Sequence, residues 1–194
     1  MKRALLALSL LALLAVPAGA VSGGVGVHAG WVDMDDASDD VGWGILANFG
    51  VSPRVDVQLR MTDFRSVIAG SENDDGSVVL VGDFDFQSTL VDFGFLYNFR
   101  KDDRKLTPFV GGGGTYYLLD STPDSKGRIN DEYGWYGVAG LDFPIAERWA
   151  VYLEGMWRDA KMTIRGDDFD LGGVVDVGVD LNGPQVNLGI KFNW

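Results

Sequence analysis

The stretch GPQVNLGIKFNW, residues 183–194, carries the plainest period in the chain. Val186, Leu188, Ile190, Phe192 and Trp194 are apolar, and Gln185, Asn187, Gly189, Lys191 and Asn193 between them hold no large apolar side chain. Side chains of a strand point alternately to its two faces, so a period of two is a strand with one oily and one wet face.

The same alternation recurs in seven segments upstream. In the first, Val25, Val27, Ala29 and Trp31 alternate with Gly24, Gly26, His28 and Gly30. In the second, Trp43, Ile45, Ala47, Phe49 and Val51 alternate with Gly44, Leu46, Asn48 and Gly50, and Ser52-Pro53 reverses the chain. The third sets Val55, Val57, Leu59 and Met61 against Asp56, Gln58, Arg60 and Thr62. The fourth sets Val91, Phe93, Phe95, Tyr97 and Phe99 against Leu90, Asp92, Gly94, Leu96 and Asn98. The fifth starts at TPFV and runs through four glycines, 111–114, to Tyr116 and Tyr117, with its facing left open. The sixth puts Trp135, Ala139, Leu141 and Phe143 opposite Tyr136, Gly140 and Asp142 and stops at Pro144. The seventh puts Trp149, Val151, Leu153 and Trp157 opposite Tyr152, Glu154 and Arg158. An even number of strands brings the chain back to the side where it began, which suits closure of the first strand on the last.

Alternation alone does not say whether water or lipid meets the oily face. The wet faces carry Arg60, Asp92, Asp142, Glu154, Arg158 and Lys191 with many glycines, a set fitted to a narrow, charge-paired interior. All six tryptophans lie at strand ends on the oily parity. Trp31, Trp43, Trp135 and Trp157 mark one end and Trp149 and Trp194 the other, the placement of two interfacial aromatic girdles. Connections 52–54, 100–105 and 144–148 are short, whereas 34–41, 65–86, 119–132 and 159–181 are long, the periplasmic and extracellular pattern respectively.

The start of the chain agrees. Lys2 and Arg3 precede an apolar run from Ala4 to Val16, then Pro17 and the small residues Ala18-Gly19-Ala20. This is the form of a secretory signal peptide, residues 1–20, too short to span a bilayer and followed by Val21, which no lipid can modify as it would a cysteine. Its removal leaves 174 of 194 residues as one domain, 21–194, and shifts the formal charge from −12 to −14, since Lys2 and Arg3 go with it. The chain has no cysteine, so disulfides and thiolate chemistry are excluded. Its acidity argues against nucleic acid as a partner. The longest aliphatic run beyond the leader, 78–81, is no transmembrane helix, so any crossing is made by strands.

TPFVGGGGTYY (107–117), GWYGVAGLDFPIAERWAVYLEGMWR (134–158) and the closing GPQVNLGIKFNW resemble the small outer-membrane β-barrel proteins grouped around the OmpA transmembrane domain and OmpX. The resemblance covers the whole mature sequence. It implies that the last strand is read by the barrel-assembly machinery, and it specifies fold and location more than activity, because members range from structural barrels to adhesins and lipid-modifying enzymes. The chain departs from the OmpA arrangement in having no peptidoglycan-binding domain after the barrel.

Candidate chemistry is sparse. His28, the only histidine, lies on the inward parity with no serine two residues away, whereas the outer-membrane deacylases that this barrel resembles use an outward His with a nearby Ser and acid. Asp33, Asp35, Asp36, Asp39 and Asp40, then Glu72, Asp74 and Asp75, then Asp167, Asp168 and Asp170 make the long connections acidic. Their spacing is not that of a calcium loop, and a solvated anionic surface is the default reading. The glycine run lacks the ending of a phosphate loop. Arg165-Gly166-Asp167 spells an integrin-type tripeptide, a three-residue match of low specificity. SVVLV (77–81) and VVDVGV (174–179) have strand composition, so hairpins two and four are expected to extend beyond the membrane and offer edges to partners.

The reading is therefore all-β: an eight-stranded antiparallel up-and-down transmembrane β-barrel in the cell outer membrane. It is monomeric and non-enzymatic, with no catalytic, cofactor or metal residues assigned. Outer-membrane lipid and lipopolysaccharide surround it, and it acts structurally or through acidic surface loops. The rivals are a narrow channel for small solutes, opposed by the tightness of eight strands around their own side chains, and a lipid-modifying enzyme.

Overall fold

A computed structural model describes residues 22–34, 37–68, 84–99, 106–121, 127–129, 132–166 and 175–194. The strands are β1 (Gly23–Met34), β2 (Ala37–Gly50), β3 (Val55–Ile68), β4 (Phe84–Asn98), β5 (Thr107–Ser121), β6 (Gly127–Ile129), β7 (Glu132–Pro144), β8 (Trp149–Gly166), β9 (Val175–Asp180) and β10 (Gly183–Asn193). Among the described residues no helix is long and apolar enough to cross a membrane.

Eight of these strands close on themselves. β1, β2, β3, β4, β5, β7, β8 and β10 pair in that order, each antiparallel to the next, and β10 turns back to pair with β1. At that seam Gly24 to Val32 lie opposite Asn193 to Gln185. The Trp194 amide donates to the Gly23 carbonyl at 3.0 Å, and the Gly23 amide donates to the Trp194 carbonyl at 3.4 Å. The last residue of the chain is thereby tied to the start of its first strand, and the sheet keeps no edge within the barrel.

The faces are inverted relative to a protein folded in water. Asp92 is 0% exposed while its neighbour Phe93 is 54% exposed. Val27, Phe95, Leu153 and Leu188 likewise face out, and Gln58, Arg60, Glu154, Gln185 and Asn187 face in. An outer surface of this kind is stable only in an apolar solvent, so the solvent of the barrel wall is lipid.

The tryptophans fall as the sequence indicated: all six are exposed on the outer face. Trp149 and Trp157 stand on the same strand, and the nine residues from one to the other match the roughly 9–11 that a tilted strand needs to cross a bilayer. Trp149 packs edge-to-face on Phe192 of β10, and the Tyr97 and Phe99 rings meet in the same way, so the short-turn girdle is a set of ring contacts.

One expectation is revised: the connections read as long loops are partly sheet in the first and third hairpins as well as in the second and fourth, where extension was expected. β1 and β2 continue to Met34 and Ala37, β3 and β4 to Ile68 and Phe84, and β8 runs to Gly166, with β6 and β9 paired on either side of its far end. Backbone hydrogen bonds and cross-strand side-chain pairs hold a ladder in water as well as in lipid, so strand pairing does not stop at the bilayer. The expected strand near 174–179 is thus present as β9, whereas 77–81 lies outside the described residues, as does the turn 100–105.

The facing of β5 is also settled. Thr107, Phe109, Thr115 and Tyr117 are buried inward, which turns Gly111 and Gly113 inward as well. A Cβ on Gly113 would run into the backbone of Phe93 and Gly94, so β5 lies too close to β4 for any side chain there.

The lipid assignment makes a direct prediction. Leu188→Arg puts a charge on the outer face between the two girdles and should destabilise the barrel by about 2–4 kcal/mol. Unfolding of the chain refolded into lipid vesicles measures this; a near-zero cost, as for an exposed site in water, would contradict a lipid-facing Leu188.

Candidate functional site

Eight strands leave a lumen about as wide as the side chains that line it, so inward residues of distant strands meet. Three ion pairs cross it. Arg60 on β3 reaches Glu154 on β8 at 2.6 Å, and these strands are four steps apart in either direction around the barrel. Arg158 on β8 grips Asp92 on β4 through both terminal nitrogens, at 2.7 Å each, the two-pronged geometry that makes arginine–carboxylate pairs strong and directional. Lys191 on β10 donates to Asp142 on β7 at 2.5 Å, nearer the short-turn end.

Neutral polar groups complete the cluster. Thr115 donates to Asp92 and accepts from Arg158 at 2.6 Å. Gln185 accepts from the Arg158 Nε at 2.6 Å and donates to Asn187, which donates to Glu154 at 2.8 Å. Arg60 also donates to Gln58 at 2.9 Å, and the Met156 sulfur lies between Arg60, Arg158 and Asn187. Asp92 and Arg60 are 3.7 Å apart, which joins the two arginine pairs into one connected group. All of these side chains are buried. Charges so placed hold because each has an opposite charge and further hydrogen bonds around it.

The lumen is not polar throughout. Leu96, Phe109, Tyr136, Val138 and Met156 form an apolar cluster inside the barrel. The Tyr136 hydroxyl lies where a side chain on Gly94 would have to go, so this inward glycine makes room for a ring from two strands away. Below the charged group two cavities remain. One of about 10 Å³ touches Asp142, Tyr152, Glu154 and Lys191. The other, about 430 Å³, opens at the short-turn end and is lined by Asp56, Asn98 and Asp142 among others.

His28 is inward and buried, as its parity indicated. Its Nε2 is 3.0 Å from the Thr62 hydroxyl, and its ring passes over Gly44, where a Cβ would collide with it. Nδ1 has no partner, so no acid orients the ring as a catalytic base requires. Of the acidic residues in the connections, Asp40 accepts from the Val41 amide at 2.7 Å, and the groups 72–75 and 167–170 lie outside the described residues. Among the described residues no set of three or more His, Asp or Glu is arranged to hold a metal ion. Arg165 and Gly166 end β8, and Asp167 lies outside the described residues.

The structure brings all six inward charges named from the sequence into pairs and specifies which joins which. Sequence reasoning missed Thr115, Tyr117 and Met156. Thr115 and Tyr117 were hidden by the uncertain facing of a strand without side chains at four positions. Met156 was passed over because an apolar residue on a wet face carries no signal for a sulfur that accepts hydrogen bonds.

Removing one member of a buried pair leaves the other uncompensated. Arg158→Met should cost about 3–5 kcal/mol in urea unfolding of the vesicle-refolded chain, and adding Asp92→Leu should recover part of that loss. Equal stability of wild type and Arg158→Met would show that the pair is not buried as described.

A family model described as the outer membrane protein beta-barrel domain matches residues 4–192. No curated protein matches the chain. Among solved structures, the outer membrane protein OprG from Pseudomonas aeruginosa superposes with a TM-score of 0.70 at 16% identity, over 89% of this chain and 95% of that one. Neisserial surface protein A superposes with a TM-score of 0.60 at 9% identity, over 88% and 95%. Outer membrane protein W of E. coli superposes with a TM-score of 0.55 at 16% identity, over 89% and 98%. Identities this low speak for a shared fold and no further. With nearly its whole length matched and its strands closed into a barrel oily outside and ion-paired within, the chain belongs to the outer membrane protein beta-barrel domain family.

Proposed function

We propose that this chain is exported with a cleaved leader and inserts in the outer membrane as a monomer. There it serves as a non-enzymatic barrel whose lumen is held shut and whose contacts are made at the cell surface by its acidic connections. The observation that carries this reading is the connected group of Arg60, Arg158, Asp92 and Glu154, each no more than 1% exposed. A solute would have to break both arginine pairs in a medium of low dielectric, at a cost of several kcal/mol for each charge left alone. The 10 Å³ cavity beneath Glu154 has room for about one water, which offers no path through.

The orientation follows from connection length, with short turns in the periplasm and the extended hairpins outside. In that orientation the end carrying β6, β9 and the tips of β1 to β4 faces the medium, and lipid and lipopolysaccharide surround the wall. β10, which closes the seam and ends on Trp194, is the segment offered to the barrel-assembly machinery.

Two measurements bear on this. The mature protein recovered from outer-membrane fractions should begin at Val21 by N-terminal sequencing, and retention of Lys2 and Arg3 would remove the leader. In planar bilayers the purified barrel should give no reproducible conductance steps; regular steps from the wild-type protein would overturn the shut lumen in favour of a narrow channel.

A further inference from the structure

We propose that the outer end of the lumen is closed by an apolar layer of Val32, Phe64, Leu90, Tyr117, Ala160 and Leu181, which bars water-borne solutes independently of the arginine group. The inference rests on the shut lumen proposed above and names where, beyond the charges, that lumen is sealed. Each of these side chains is no more than 3% exposed. They come from β1, β3, β4, β5 and β8 and from the link between β9 and β10.

Parity places this layer directly beyond the charged one. On β4 the next inward position from Asp92 toward the long hairpins is Leu90, on β5 the next from Thr115 is Tyr117, and on β8 the next from Arg158 is Ala160. On β3 the step after Arg60 is Thr62, which pairs with Leu90, and the step after that is Phe64. β2 and β7 supply glycines here, and rings fill the space they leave. A Cβ on Gly42 would collide with the Phe64 ring, and one on Gly134 would meet the Tyr117 ring and the Ala160 side chain. The Leu181 amide donates to the Ala160 carbonyl at 2.9 Å, which ties the link before β10 to β8.

The outer parity changes at the same height. Beyond Trp157 the next outward residue of β8 is Asp159, beyond Met61 on β3 it is Asp63, and beyond Val41 on β2 it is Asp39. Below the girdle these strands are oily outside and polar within. Above it they follow the order of a protein folded in water, polar outside and apolar within. A narrow apolar layer stops ions without any charge of its own, because a hydrated ion would shed water where no polar group replaces it. The arginine group and this layer are therefore two barriers in series, built from different interactions.

The chain has no cysteine, so a single introduced thiol reports access to the lumen. Thr62 is 0% exposed and lies one inward step below Phe64, whereas Asp39 is exposed on β2. The full mature chain carrying Thr62→Cys or Asp39→Cys is refolded in detergent micelles and treated with a trimethylammonium methanethiosulfonate reagent. Thr62→Cys should react about a hundred-fold or more slowly than Asp39→Cys, because a buried thiol is reached only when the structure opens. Adding Phe64→Ala and Leu90→Ala should raise that rate about ten-fold or more, since two large-to-small changes leave a cavity in the layer. Adding Arg158→Met with Asp92→Leu should leave it slow. A gel comparing boiled and unboiled samples checks that each variant is folded, and Phe64→Ala alone serves if the pair of alanines is not. Fast reaction of Thr62→Cys in the otherwise unchanged barrel would overturn the proposal. So would a slow rate in the folded alanine variant, or a fast one once Arg158 and Asp92 are replaced. Conductance steps from the unaltered chain count against the shut lumen, and fast labelling without such steps counts against the layer alone, so the two failures are told apart.

Discussion

Everything in this molecule depends on the seam between β1 and β10. In hydrocarbon an unpaired backbone amide or carbonyl finds no water, and each one left so costs several kcal/mol. A sheet of any width with two open edges is therefore not a state that lipid admits. The register that pairs Gly24 with Asn193 and Val32 with Gln185 satisfies both edges at once. It also decides the facing of every side chain on the last strand. A slip of one residue would turn Lys191, Asn187 and Gln185 into lipid and bring Leu188 and Ile190 into the lumen, so the polar network and the seam hold or fail together.

Inside the closed wall the second constraint is width. Buried ion pairs add little net stability compared with apolar residues of the same size, but they penalise any arrangement that separates them. Here each pair joins strands that are not neighbours in the sheet: β3 with β8, β4 with β8, β7 with β10. They act as struts across the barrel rather than as links along it. Rings are accommodated by the same economy of space. His28 lies over Gly44 to reach Thr62, and Tyr136 extends to Gly94, so a large side chain on one strand is matched by a missing one nearby.

Much of this was legible in the order of residues, and the reason is the inversion itself. A barrel in lipid alternates on every strand, so Val186 to Trp194, Val55 to Met61 and Phe93 to Phe99 announce their facing without help from packing. Tryptophans at strand ends then told lipid from water. Parity placed Arg60, Asp92, Glu154 and Arg158 on one surface but was silent on partners, because which inward residues meet depends on how the closed sheet curves. The glycine run of β5 carries no facing at all, since alternation needs side chains to alternate. The tip of the first hairpin was mistaken for a loop for a different reason. Polar residues such as Asp39 and Asp40 read as turn signals, yet on a ladder in water they are ordinary outward and inward positions of β2.

The two ends of the barrel consequently answer different physical demands. β8 spends nine residues between Trp149 and Trp157 and then continues for nine more to Gly166, with β6 and β9 hydrogen-bonded along that extension. Nothing in lipid requires it, because backbone beyond the girdle is satisfied by water in any conformation. A partner meeting this end therefore meets paired strands with defined registers, which lose less conformational entropy on binding than a free loop does. At the other end the turns 51–54 and 145–148 are tight, and the lumen widens into a polar cavity instead of building outward. The arginine group stands between the two. Because its pairs join β3 and β4 to β8, separating those strands at either end works against the same buried charges.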